Sequence, residues 1–187
     1  MPRPKTRTDA AVLRAAMRVM VRQGPAGFTL AQVALAAGLA PATLVQRFGD
    51  KQGLIVAAVA QDNARFAAIL DAAPRAVGAE AVIDLFWGMT PGEDDDHALA
   101  DQLLLLRDPG DARLNALVRE RFAVLLQAVE ARMPPLSVPA AVAARLVVAQ
   151  WQGALAQWAM ERRGALSDHV AENLAAWFDL ARPPAPT

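Results

Sequence analysis

Cysteine and tyrosine are absent from this chain, and histidine occurs only as His97 and His169. Without cysteine there is no disulfide scaffold and no thiolate metal site, and two isolated histidines make no metal cluster. No uncharged apolar run reaches the roughly 18–20 residues of a membrane-spanning helix. The start, Met1-Pro2-Arg3-Pro4-Lys5, lacks the apolar segment of a secretory leader. HExxH, GxxxxGK, GxGxxG and Glu-x-x-His patterns are all missing, so metalloprotease, phosphate-loop, dinucleotide and di-iron chemistry lack their residues. The expectation is a soluble, cytoplasmic protein that is not an enzyme, with no cofactor, no metal and no membrane partner.

What is present is helical. Alanine and leucine dominate, and no long alternating runs or internal repeats appear. The densest information lies in residues 27–51, GFTLAQVALAAGLAPATLVQRFGDK. Thr29 is placed to cap a helix that carries Leu30, Val33 and Ala34 at i, i+3, i+4 spacing. Gly38 tolerates the left-handed backbone that ends a helix. Pro41 suits the first turn of the next one, where its missing N–H leaves nothing unpaired. Leu44, Val45 and Phe48 give that second helix apolar anchors. Helix, glycine turn, helix is the helix-turn-helix of DNA-binding proteins.

The residues from Thr8 to Leu54 carry a closer likeness. Ala10, Leu13, Ala15-Ala16, Met20, Gly24, Phe28, Thr29-Leu30, Val33-Ala34, Ala37-Gly38-Leu39, Thr43-Leu44, Phe48, Lys51 and Leu54 follow one pattern. In it the sequence resembles the N-terminal domain of TetR-type transcriptional regulators. One departure is Val45, which stands where many members carry a tyrosine that touches a phosphate. The rest of the chain agrees with that family in length and helical character only.

Charge is divided unevenly along the chain. Residues 1–53 hold eight basic and two acidic residues, net +6, and residues 54–187 hold 11 basic and 17 acidic, net −6. The overall zero conceals a phosphate-attracting end and a repelling one. Arg14, Arg18 and Arg22, at i, i+4, i+8, also read as one solvated helix face.

Two domains are expected, a DNA-binding domain over 1–53 and a ligand-binding and dimerisation domain over 54–187. The fold class is all-α with about nine helices. Beyond the helix-turn-helix, helices are expected from Thr8 to about Gln23, from about residue 51 to Asp71, and over about 82–89, 97–107, 111–132, 139–163 and 167–181, the last capped by Ser167. The helix ending near Asp71 connects both domains without a flexible linker. Thr90–Asp96 reads as a solvated acidic loop, without the ligand spacing of a calcium site.

Candidate DNA contacts are Thr29, Pro41, Ala42, Thr43, Val45, Gln46, Arg47 and Lys51. Gln46 suits adenine, Arg47 guanine or phosphate, and Thr43 a thymine methyl or a phosphate. Lys51 and Thr29, at helix N-termini, suit phosphate. Candidate ligand-pocket residues are Phe86, Trp87, Met89, Leu103, Phe122, Leu126 and Trp151. By the family resemblance the last two helices form a four-helix dimer interface, with Leu155, Trp158, Val170, Leu174, Trp177 and Phe178 as its candidates. Trp151 and Trp158 read first as a plain core stripe, with the pocket and the dimer interface as the other readings. The resemblance implies a homodimer that binds a palindromic double-stranded DNA operator and is released by a small, mostly hydrophobic effector. The alternative is a helical-bundle interaction protein without specific DNA binding.

Overall fold

The computed structural model describes residues 7–89 and 111–182, apart from the side chains of Pro25 and Ala26. Among them are eight α-helices and no strands: α1 (Asp9–Gly27), α2 (Leu30–Ala37), α3 (Pro41–Phe48), α4 (Lys51–Ala72), α5 (Ala79–Met89), α6 (Ala112–Glu130), α7 (Ala140–Glu161) and α8 (Leu166–Ala181). The helix expected over 97–107 and the acidic stretch 90–96 lie outside the described residues. The described residues divide into two compact units, one of 7–66 with 111–119, the other of 67–89 with 120–182. The first unit is thus larger than the 1–53 segment, because much of α4 and the start of α6 pack with it.

Local chemistry explains the boundaries of the first helices. Thr8 caps α1 by accepting the Ala11 N–H at 3.3 Å, and Gly24, with φ +72°, breaks the helix ahead of Phe28. Thr29 and Gln32 form a reciprocal cap on α2. The Thr29 hydroxyl accepts the Gln32 N–H at 3.3 Å, and Gln32 Oε1 accepts the Thr29 N–H at 2.7 Å. Gly38 ends α2 in the left-handed region with φ +67°. Pro41 opens α3, and Asp50 caps α4 by accepting the Gly53 N–H at 2.7 Å.

These elements close around one core. Val12, Ala16 and Met20 of α1 meet Val33 and Ala37 of α2, Leu44 of α3, and Leu54, Ala58 and Val59 of α4, with Phe28 between them. α4 is apolar enough, at mean hydropathy 1.3 over its best 18 residues, to match the composition of a membrane span. Its apolarity is that of a core helix, since Leu54, Ile55, Ala58 and Val59 lie in this cluster. Asp111 caps α6, accepting the Arg113 and Leu114 N–H groups, the Arg113 guanidinium and the Gln52 amide. The Arg113 side chain, more than any other partner, holds the Asp111 carboxyl far below the usual carboxylate range.

The second unit is stapled by Arg132, a buried cation at the end of α6. Its guanidinium donates to the carbonyls of Pro74 at 2.9 Å, Ala73 at 2.9 Å and Ala128 at 2.7 Å, while its own carbonyl accepts the Gly78 N–H at 2.9 Å. One side chain thereby satisfies orphan carbonyls at the ends of α4 and α6. α8 packs on both α7 and α5. Ser167, expected as its cap, lies instead within the first turn and is buried. The cap position is Ala165, which offers no side-chain oxygen.

Two substitutions test this account of the first unit. A Cβ on Gly53 would overlap the Phe48 carbonyl oxygen, so Gly53→Ala must push α4 away from the end of α3. It is expected to lower the thermal midpoint, and an unchanged midpoint would show that the two helices do not meet this closely. Leu44→Ala removes a wholly buried side chain and is expected to cost about 2–5 kcal/mol in denaturant unfolding.

Candidate nucleic-acid interface

The orientation of α3 follows from what it buries. Leu44 is 1% exposed and Phe48 packs against the same core. A helix that buries positions 44 and 48 must turn 42, 45, 46 and 49 outward. Ala42 and Gln46 are exposed accordingly, Pro41 is exposed as well, and Thr43 is half-buried. Val45, expected with Leu44 and Phe48 as an apolar anchor, is instead 48% exposed, because burial of Leu44 turns it to the outer side of the helix. On α2, Gln32, Leu35 and Ala36 face solvent.

The cationic residues of this region are arranged differently from their sequence expectation. Arg47 does not extend outward with Gln46. Its Nη1 donates to the Arg7 carbonyl at 2.8 Å and to Asp9 Oδ1 at 3.1 Å, which holds the side chain at 22% exposure. Arg47 thus ties the end of α3 to the residues just before α1. The Arg7 guanidinium in turn lies 3.8 Å from the point where a Cβ on Gly38 would stand. Sequence spacing could not reveal this contact, because its partners lie about 40 residues apart. Lys51 is also engaged: its Nζ sits 4.3 Å from the centroid of the Phe28 ring. Thr29 is exposed, but its hydroxyl and its N–H both serve the α2 cap.

In the second unit the expected pocket residues separate into two groups. Phe86 and Trp151 are buried and face each other, with ring centroids 5.0 Å apart and a 35° tilt. Trp87 and Phe122 are exposed, and Met89 and Leu126 half-buried. Leu103 lies outside the described residues. Trp151 is 3% exposed, and among the described residues its indole N–H has no hydrogen-bond partner. A buried donor left unpaired costs about 1–3 kcal/mol.

The expected interface residues are mostly interior. Leu155, Trp158, Val170, Leu174 and Phe178 are buried within the second unit itself, which leaves them almost no surface to give a partner. Trp158 donates its indole N–H to the Gly164 carbonyl at 3.1 Å and lies under the Arg162 guanidinium. Trp177 alone of the six keeps appreciable exposure, edge-on to Phe178 with centroids 5.0 Å apart.

Comparisons with known proteins agree with the geometry of the first unit. Residues 12–58, which contain the helix-turn-helix, match the family described as bacterial regulatory proteins, tetR family. Solved structures share its fold. A transcriptional regulator from Rhodococcus sp. Rha1 is similar with a TM-score of 0.77 at 17% identity, over 95% of this chain and 100% of that one. The regulator FadR from Bacillus subtilis, in complex with stearoyl-CoA, gives 0.71 at 16% identity, over 90% and 96%. The multidrug binding protein EbrR, complexed with malachite green, gives 0.68 at 22% identity, over 92% and 98%. No curated protein matches the chain.

The contacts of Arg47 lead to a specific expectation. As an exposed-rim ion pair with Asp9 it contributes under about 1 kcal/mol to stability, so Arg47→Ala should fold normally. If Arg47 holds Arg7 and Asp9 in place and reads no base, the variant will bind all DNA sequences more weakly and keep the wild-type preference. Asp9→Ala will do the same to a lesser degree. A changed base preference in a competition gel shift with Arg47→Ala would make Arg47 a reader.

Proposed function

We propose that this chain is a cytoplasmic, ligand-responsive repressor. It binds a palindromic double-stranded DNA operator as a homodimer and is released by a small, mostly hydrophobic effector. In this reading residues 1–53 hold the DNA contacts and residues 54–187 the effector site and dimer contacts. The observation that carries it is α3, anchored by Leu44 and Phe48 and presenting Pro41, Ala42, Val45 and Gln46 to solvent within a segment of net charge +6. Thr43, Lys51 and Thr29 stand at its margins, where backbone phosphates would run.

A single head of this size makes too few contacts to select one site in a genome, so two must be joined. The exposed face of α7 supplies a candidate seam. Val142, Leu146, Ala149, Gly153, Ala156 and Met160 all face solvent, at successive spacings of 4, 3, 4, 3 and 4. That is the repeat of helix–helix seams, with small residues at its centre that allow close approach. On α8, Leu180 is exposed and Trp177 half-buried, so that helix too keeps apolar side chains for a partner. A second copy of the chain is the occupant that lets every such seam be covered symmetrically.

The effector reading draws on Phe86, Trp151 and the unpaired Trp151 N–H. An apolar molecule that carries a hydrogen-bond acceptor fits this pair. Among proteins of the same fold, the Bacillus FadR complex holds stearoyl-CoA, with its long hydrocarbon chain, and the EbrR complex malachite green, with its aromatic rings. An effector can act only through its difference in affinity for two states of the protein. α4, unbroken from Lys51 to Ala72, is the candidate carrier of that difference.

Selection of bound fragments from a random DNA library by the full chain is expected to enrich two inverted half-sites about one helical turn apart. Gln46→Ala should relax one position of each half-site at a cost of about 1–3 kcal/mol. Leu146→Asp is expected to halve the mass seen by light scattering, keep the helix content and lose operator binding. Phe178→Asp, by contrast, should unfold the second unit. Enrichment of no half-site would favour the interaction bundle instead.

A further inference from the structure

The reading face of α3 is unusual in what it lacks. Among the described residues of this head, Arg47 is turned back onto Arg7 and Asp9, and Lys51 lies over Phe28. The exposed face that remains holds three apolar side chains, Pro41, Ala42 and Val45, and one hydrogen-bonding side chain, Gln46. Val45 is 48% exposed, although Leu44 beside it is wholly buried. An exposed β-branched apolar residue on the outward face of α3 gains nothing from water. In the major groove of DNA the one apolar group presented by a base is the thymine 5-methyl.

We propose that this head reads its half-site chiefly through thymine methyl groups. Val45, with Ala42 beside it one turn back, covers one or two methyls, and Gln46 pairs with a neighbouring adenine through N6 and N7. The half-site is therefore rich in A·T pairs, and its recognition depends on a methyl group that carries no charge and no hydrogen bond. The inference rests on the reading of α3 as the helix that enters the groove, and it specifies which chemical feature of DNA that helix recognises. Charge complementarity argues for DNA as the occupant of this face over an apolar protein surface, since residues 1–53 carry net charge +6.

The test alters the DNA and leaves the protein intact. A site selected by the full chain is resynthesised with deoxyuridine in place of each thymine in turn, which removes only the methyl. One or two positions per half-site are expected to weaken binding about three- to fivefold each, the size of one buried methyl group. Val45→Ala should bind the thymine site more weakly and lose most of its sensitivity at one of those positions. Gln46→Ala should retain that sensitivity. Specific binding that is indifferent to uracil at every position would overturn the methyl reading and leave the regulator reading in place. Failure to select any DNA, with capture of a protein partner that Val45→Asp abolishes, would overturn both.

Discussion

The geometry of the helix-turn-helix head depends on one buried leucine held between two glycines of positive φ. Gly38, at φ +67°, and Gly49, at φ +81°, bracket α3, and a side chain with a Cβ is strained at either point. Between them Leu44 enters the core of α1, α2 and α4 and fixes the rotation of α3 about its own axis. Rotation by one residue would turn the helix by about 100° and bury Val45 in place of Leu44. The close approach of Gly53 to the Phe48 carbonyl then fixes where α3 ends against α4. Everything presented outward, from Ala42 to Gln46, follows from that burial.

Much of this was legible in the sequence because it is local. The Thr29 cap, the Gly38 turn, the Pro41 start and the inward Leu44 each follow from the backbone needs of a few neighbouring residues, and the structure has them as expected. The helices after α4 were legible too, within about three residues at each end, from their apolar periodicity and the prolines between them. What escaped was long-range. Arg47 looked like an outward cation, but its direction is set by Asp9 and the Arg7 carbonyl far back in the chain. Arg132 had no signature because its carbonyl partners Pro74 and Ala73 lie 58 and 59 residues back in the chain. Asp111 carries the local mark of a helix cap, through the Arg113 and Leu114 N–H groups, and only its bond to Gln52 is long-range.

The aromatic residues of the last two helices show the same limit from another side. An apolar stripe announces that a helix is covered, not what covers it. α7 has two such stripes. One, through Val147, Val148, Trp151, Leu155 and Trp158, faces the interior, and the other, through Val142, Leu146, Gly153 and Met160, faces solvent. The larger side chains drew the interface expectation to the first stripe. Burial assigns those residues to the chain's own core, and the smaller, more exposed second stripe becomes the candidate seam.

The absence of cysteine from the chain makes the central claim, that α3 is the element seated in DNA, directly measurable. A single Cys introduced at the exposed position Ala36, beside the α2–α3 turn, accepts an iron chelate that cleaves DNA only within its immediate reach. With full-length Ala36→Cys on a selected site, cleavage is expected at two symmetric positions, one in each half-site, and the cysteine-free wild type treated with the same reagent should cut neither. Equal cleavage from the wild type, or none from position 36 on a site that the protein still binds, would contradict the account.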